Sequence, residues 1–238
     1  MSISRLPKGL STDANGSSGP LGEWGSPDPT KYHTYFNDFH AYDLADWIIT
    51  TTEAGAGSAT EAVANAVNGE LVITNAAGAA DLDFLQYKGG TSGTAVEPFL
   101  FVAGKKTWFK TRVKWSDVSA VDSVIGLQIT DTTPLVVSDG VFFSKPVGST
   151  IAINTTKDST LTSATVTTAS ADDTYATLGF FYNGVDSIEA YYNEARVASI
   201  AVTNLPDDEE LTISFGVMNN EAVADSMTVD YVLVSQER

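Results

Sequence analysis

Residues 174–236 read TYATLGFFYNGVDSIEAYYNEARVASIAVTNLPDDEELTISFGVMNNEAVADSMTVDYVLVSQ, and this stretch decides the fold. Ala176, Leu178, Phe180 and Tyr182 alternate with Thr177, Gly179 and Phe181, so one face of a strand is apolar. Asn183-Gly184 tolerates positive φ and marks a hairpin turn. Ile188, Ala190 and Tyr192 share the next face, Asn193-Glu194 makes a second corner, and Arg196 to Val202 runs back. Pro206 lacks an amide donor, which keeps Asn204 to Asp208 out of any central ladder. Leu211, Ile213, Phe215 and Val217 then alternate with Thr212, Ser214 and Gly216. Met227, Val229, Tyr231 and Leu233 close the series. Five successive strands of this kind predict a meander forming one half of a sandwich, with the rest of the chain supplying the other sheet.

The chain has 238 residues, a normal length for a large all-β sandwich, and such a chain buries roughly 70% of its unfolded surface. It contains no cysteine, which excludes a disulfide framework and a thiolate metal site. Thirty acids against 13 bases give a net charge of −17. That balance argues against nucleic acid and against anionic membranes as partners, both of which need a basic footprint. No run of about 18 apolar residues is present, and Met1 to Pro7 lacks the apolar stretch of a signal peptide, so a route other than classical secretion is expected.

Residues 1–33 differ from the rest. Gly16, Gly19, Gly22 and Gly25 alternate with Pro7, Pro20, Pro27, Pro29 and several serines. Arg5, Lys8 and Lys31 balance Asp13, Glu23 and Asp28, so this arm is neutral and the acidity belongs to residues 34–238. The arm has too few large apolar groups to fold alone. It is expected to take shape against a partner or the body, with Leu21, Trp24 and Tyr32 as anchors.

Within the body, strands are predicted at Tyr35–Phe39, Leu44–Thr52, Glu70–Thr74, Leu82–Lys88, Lys106–Trp115, Val124–Thr130, Val141–Ser144, Thr150–Asn154 and Leu161–Thr168. Ala59–Val67 is alanine-rich and reads as a short helix or a loop. Roughly a dozen strands with turns every 8 to 12 residues are the pattern of a two-sheet antiparallel β-sandwich. The strand Lys106–Trp115 has two unlike faces. Phe109, Val113 and Trp115 point inward, whereas Trp108, Lys110, Arg112 and Lys114 form an outward basic stripe. Such a stripe is expected to pair with acids of neighbouring strands; its functional alternative is contact with an acidic partner surface.

The strand order at 174–236 resembles the concanavalin A-like (laminin-G-like) jelly roll. Four segments are also similar to structural proteins of tailed bacteriophages, chiefly marine ones. These are Phe36-Asn37-Asp38-Phe39, Gly126-Leu127-Gln128-Ile129-Thr130-Asp131, Asp139-Gly140-Val141-Phe142-Phe143, and Asn204-Leu205-Pro206-Asp207-Asp208-Glu209-Glu210-Leu211. The resemblance covers residues 34–238 and not the arm. It implies a non-enzymatic capsid decoration or cement protein, made in the host cytoplasm and placed on the virion surface. Its partners would be the major capsid protein or other virion proteins, and it would form a homo-oligomer such as a trimer. The alternative is a carbohydrate-binding module for host attachment, in which Trp24, Tyr87 and Trp108 would stack on sugars.

Glycoside hydrolases share this general fold, but no Glu-x-Asp-x-Glu run is present. The acidic cluster Asp207–Glu210 reads as a solvated turn, because neighbouring residues on a strand face opposite ways. Asp43 and Asp46, and Asp81 and Asp83, read as loop or edge acids. The only histidines, His33 and His40, read as polar surface groups, and no Gly-x-Ser-x-Gly elbow accompanies them. No catalytic residue, cofactor or metal site is assigned. The resemblance leaves calcium open, with Asp81, Asp83 or Asp122 as candidate ligands.

Overall fold

The computed structural model describes residues 30–53, 57–89 and 96–238. In chain order the strands are β1 (Tyr32–Asn37), β2 (Trp47–Thr52), β3 (Thr60–Val63), β4 (Leu71–Thr74), β5 (Leu82–Tyr87), β6 (Thr107–Trp115), β7 (Val121–Gln128) and β8 (Gly140–Lys145). They continue with β9 (Ile151–Lys157), β10 (Thr160–Thr167), β11 (Ala176–Tyr182), β12 (Ser187–Tyr192), β13 (Ala195–Ala201), β14 (Thr212–Asn219) and β15 (Ser226–Glu237). An eight-stranded sheet runs β13-β12-β11-β6-β15-β4-β3, with β1 also on β15, and a seven-stranded sheet runs β10-β9-β8-β7-β14-β5-β2. Every pairing is antiparallel, so the fold is the expected all-β, two-sheet sandwich. Among the described residues no helix is long and apolar enough to cross a membrane.

The meander expected at 174–236 holds only for its first three strands. β11, β12 and β13 are sequential neighbours, joined by a loop in which Asn183 Oδ1 accepts from the amides of Val185 and Asp186, and by the two-residue turn Asn193-Glu194 at φ 48° and 69°. After β13 the Pro206 segment carries the chain across to the other sheet, where β14 lies between β7 and β5, and β15 returns to the first sheet between β6 and β4. Leu205 and Leu211 are buried at this crossing, so the bend is a passage between layers rather than a turn within one. Alternation shows that a strand has a buried face, not which sheet owns it.

Two further expectations change. Thr60–Val63 is an edge strand on β4 and not a helix, because cross-strand pairing overrides the weak helix preference of a short alanine-rich segment. The body also starts earlier than residue 34. Tyr32 pairs with Glu237, and the Arg238 amide donates to Lys31 O, so Tyr32 and His33 belong to β1.

The core lies between the sheets and is aromatic. Phe180 stacks on Phe109 with centroids 5.0 Å apart, and Trp47 meets Phe215 edge-on at 5.1 Å. Leu178, Ile213, Val217, Val229 and Val234 fill the space around them. Each fully buried side chain of this size contributes about 1.5–3 kcal/mol relative to exposure.

Candidate functional site

The outer face of the seven-stranded sheet is not a plain solvent face. Phe84 on β5, Val124 on β7 and Phe142 on β8 alternate with core residues and therefore point outward, yet all three are buried. Glycine makes this possible. A Cβ on Gly216 would lie 2.6 Å from Phe84 Cδ1, and one on Gly126 would lie 2.6 Å from Phe142 Cβ, so each aromatic residue crowds against a neighbour that has no side chain. Leu135 and Val137, from the β7–β8 connection, pack on top and seal a small second apolar cluster.

That connection is held by glutamines from the sheet below. Gln86 Nε2 donates to Ile129 O and Gln86 Oε1 accepts from the Asp131 amide, both at 2.9 Å. Gln128 Nε2 donates to Pro134 O at 3.0 Å. Asp131 Oδ1 accepts from the Thr133 amide and hydroxyl, each at 2.7 Å, and Pro134 opens a single 3₁₀ turn. The far end is tied to the β9–β10 hairpin, where the Ser159 amide donates to Ser138 O and the Asp158 amide to Asp139 Oδ1.

Beside this loop lies a groove of about 240 Å³. Leu135, Val136 and Val137 form one wall, and Phe142, Ser144, Asn154 and Thr156 form the floor. Ser159 and Leu161 form the opposite rim. None of these nine residues is ionisable, although the chain carries 30 acids. Val136 and Leu161 are 80% and 59% exposed and present apolar surface to solvent on opposite sides. Asn154 Nδ2 donates to Ser144 Oγ at 2.7 Å, which orients the amide in the floor.

The basic stripe sits where expected, on the outer face of the eight-stranded sheet, and two of its three cations are paired with acids there. Lys110 Nζ pairs with Glu194 at 2.5 Å, and Arg112 pairs with Asp230 at 2.5 Å while covering the Tyr175 ring at 3.7 Å. Lys114 lies 4.8 Å from the same ring. Trp108 is sandwiched between Tyr32 at 6.0 Å and Phe181 at 5.3 Å. The structure thus brings Tyr32, Trp108, Lys110, Arg112 and Lys114 onto one surface; Leu21 and Trp24 lie outside the described residues.

Other candidates move. Tyr87 shares the inner face of β5 with Asp83 and Leu85, and it packs against Tyr35 and Trp47 rather than facing sugars. His40 is exposed beside Asp38, but His33 packs on Phe99 at 5.1 Å, and burial followed by the Arg238 charge pushes its pKa down. Asp43 caps the Ala45 amide, and Asp122 Oδ1 accepts from the Val147 amide. Asp81 and Asp83 are fully buried instead of lying at an edge. Burial, then the facing Glu61 carboxyl, holds Asp83 well above the ordinary carboxylate range. Lys145 is buried too, donating to Val118 O and to Val121 O. Sequence reading missed the groove because its residues come from four separated segments and none carries a charge or a motif.

No family model matches the chain, and no curated protein matches it. Solved structures do. A non-specific endo-beta-1,3(4)-glucanase of family GH16 superposes with a TM-score of 0.60 at 16% identity, covering 88% of this chain and 93% of that one. A protein of unknown function from Shewanella oneidensis MR-1 gives 0.57 at 16% identity, with 87% of each chain covered. Peanut lectin gives 0.54 at 9% identity, covering 87% and 97%. A hydrolase, a lectin and a protein without assigned activity on one scaffold show a shared architecture and no shared chemistry. That architecture is the concanavalin A-like jelly-roll β-sandwich.

Proposed function

We propose that the chain is a carbohydrate-binding module that takes a neutral saccharide in the groove between β8, β9, β10 and the β7–β8 loop. One observation carries this reading: in a chain of net charge −17, the groove walls hold only apolar, hydroxyl and amide groups. Such a lining suits a polyhydroxylated ligand with apolar C–H faces and repels no uncharged sugar. The similarity to a lectin and a glucanase supports it at the level of the fold. A binding role is favoured over hydrolysis because Phe84 and Phe142, under Leu135 and Val137, fill the middle of this face, where two facing carboxyls would need open space.

The test is calorimetric titration with neutral and acidic oligosaccharides, using Val136→Asp and Leu161→Asp. Both side chains are exposed, so folding is unaffected. Tenfold or greater loss of neutral-sugar binding in both variants is the expected result. Absence of saccharide binding by the wild type, or full binding by both variants, overturns the proposal.

A second proposal is the capsid decoration role, with the major capsid protein as partner and a homo-oligomer such as a trimer on the virion. One feature favours it: Tyr32 and Trp108, both half-buried, form an aromatic patch over the buried Phe181 where the chain enters β1. Removal of residues 1–29 is expected to abolish binding to purified particles while the β-sheet circular dichroism persists. Undiminished particle binding by the shortened chain sinks this reading.

A further inference from the structure

β2 and β3 are the edge strands of their respective sheets. Side chains from β2, β3, β5 and the β1–β2 connection converge on Asp83. Its carboxyl is fully buried, and its Oδ1 accepts from Thr51 Oγ1 at 3.0 Å. Oδ2 has no donor among the described residues, and the group within hydrogen-bonding range is the carboxyl of Glu61. Tyr42 Oη is likewise buried without a partner and senses Glu61 and Asp83. Glu53, at the end of β2, adds a further negative charge to the surroundings of Asp83. Among the described residues no lysine, arginine or histidine forms an ion pair with Asp83 or Glu61.

A buried carboxyl that faces a second carboxyl is relieved either by a proton shared between the two or by a bound cation. We propose that this seam is a binding site for a hard divalent cation, with calcium as the best fit. Asp83 and Glu61 are its charged ligands, and Thr51 and Tyr42 supply hydroxyl oxygens. Every donor is oxygen, which selects calcium or magnesium over zinc and copper. The donors come from four separate segments, β2, β3, β5 and the β1–β2 connection, which suits the flexible coordination of calcium better than the strict geometry of magnesium. Glu61 is only half-buried, so the ion has a way in and water completes its shell. With two charged ligands the affinity falls in the weak class, a Kd of about 10⁻⁴ to 10⁻³ M. A bound ion would tie β3 of one sheet to β5 and β2 of the other.

The experiment uses the full chain after EDTA treatment and dialysis. Calcium chloride is added to about 10 mM, with potassium chloride at matched ionic strength as control, and thermal unfolding is followed by circular dichroism. A Tm rise of about 4 °C or more with calcium alone is expected. Glu61→Gln, at a half-exposed position on an edge strand, should remove most of that rise. Terbium luminescence sensitised by Tyr42 is a second readout, and it should fall at least tenfold in Glu61→Gln and in Asp83→Asn. The absence of any calcium shift means that a shared proton satisfies the pair, and it overturns the proposal. An equal shift in wild type and Glu61→Gln means diffuse screening of the acidic surface, and it overturns the proposal as well.

Discussion

The two outer faces of this sandwich solve the same problem in opposite ways. The eight-stranded sheet leaves its face open and fills it with long amphipathic groups: Lys110 on Glu194, Arg112 on Asp230 and Tyr175, Trp108 between Tyr32 and Phe181. The seven-stranded sheet makes its face apolar and then covers it with its own β7–β8 loop. The first arrangement rests on charge pairs of two kinds: Lys110 with the exposed Glu194, which is individually weak, and Arg112 with the buried Asp230. The second depends on close packing, where small changes in volume are felt strongly. The covered face therefore holds the closer packing and the groove, and the open face tolerates change at its exposed pair.

The largest expected effect tests the packed side. Gly216→Ala would place a Cβ 2.3 Å from Asp83 O, and it should destabilise the chain by about 3 kcal/mol or more in urea unfolding. A cost under about 1 kcal/mol would show that the covered face is loosely packed and break the contrast.

Next comes the buried carboxyl between the layers. The folded-state pKa of Asp83 is raised, so the folded chain holds a proton that the unfolded chain releases at a lower pH. Without added cation, stability should fall as pH rises from about 4 toward 8, and Asp83→Asn should flatten that slope. The measurement is the urea midpoint across this range in EDTA. An unchanged slope in the variant would place the pH dependence in the general acidity of the surface.

A smaller effect is expected for the loop. Gln86→Ala removes the bonds to Ile129 O and the Asp131 amide, at a cost of about 1–2 kcal/mol, and should speed hydrogen exchange at Asp131. Retained protection there would mean that Leu135 and Val137 hold the loop by packing alone. The smallest effect belongs to the open face. Lys110→Ala, which breaks only the pair with the exposed Glu194, should change stability by less than about 0.5 kcal/mol. A loss above about 1 kcal/mol would show that the stripe acts as a coupled network.

The contrast also explains what could be read from the chain alone. β6 was legible because burial and residue type alternate along it with period two; the first hairpin of 174–236 was legible from the apolar alternation of Ala176, Leu178, Phe180 and Tyr182 and its Asn183-Gly184 turn, although only Thr177 of β11 escapes burial. The crossing after β13 was not, because a proline bend looks alike whether it turns within a sheet or passes between sheets. The groove was hidden for a related reason: Phe142 and Val124 read as ordinary strand residues, and only the covering loop reveals that their face is buried. Asp83 misled because it was read as a loop or edge acid, and a charged residue on an inner face goes against the usual distribution.

The pairing of β1 with β15 has a mechanical consequence. Tyr32 stands opposite Glu237 and Asn37 opposite Val232, so the free ends of these two strands emerge side by side. Tension applied through residues 31 and 238 would therefore peel the ladder open one rung at a time, instead of shearing all its rungs together. The body would yield at low force when loaded from that pole. If it is tethered there by its flanking residues, it is a yielding joint and not a rigid strut.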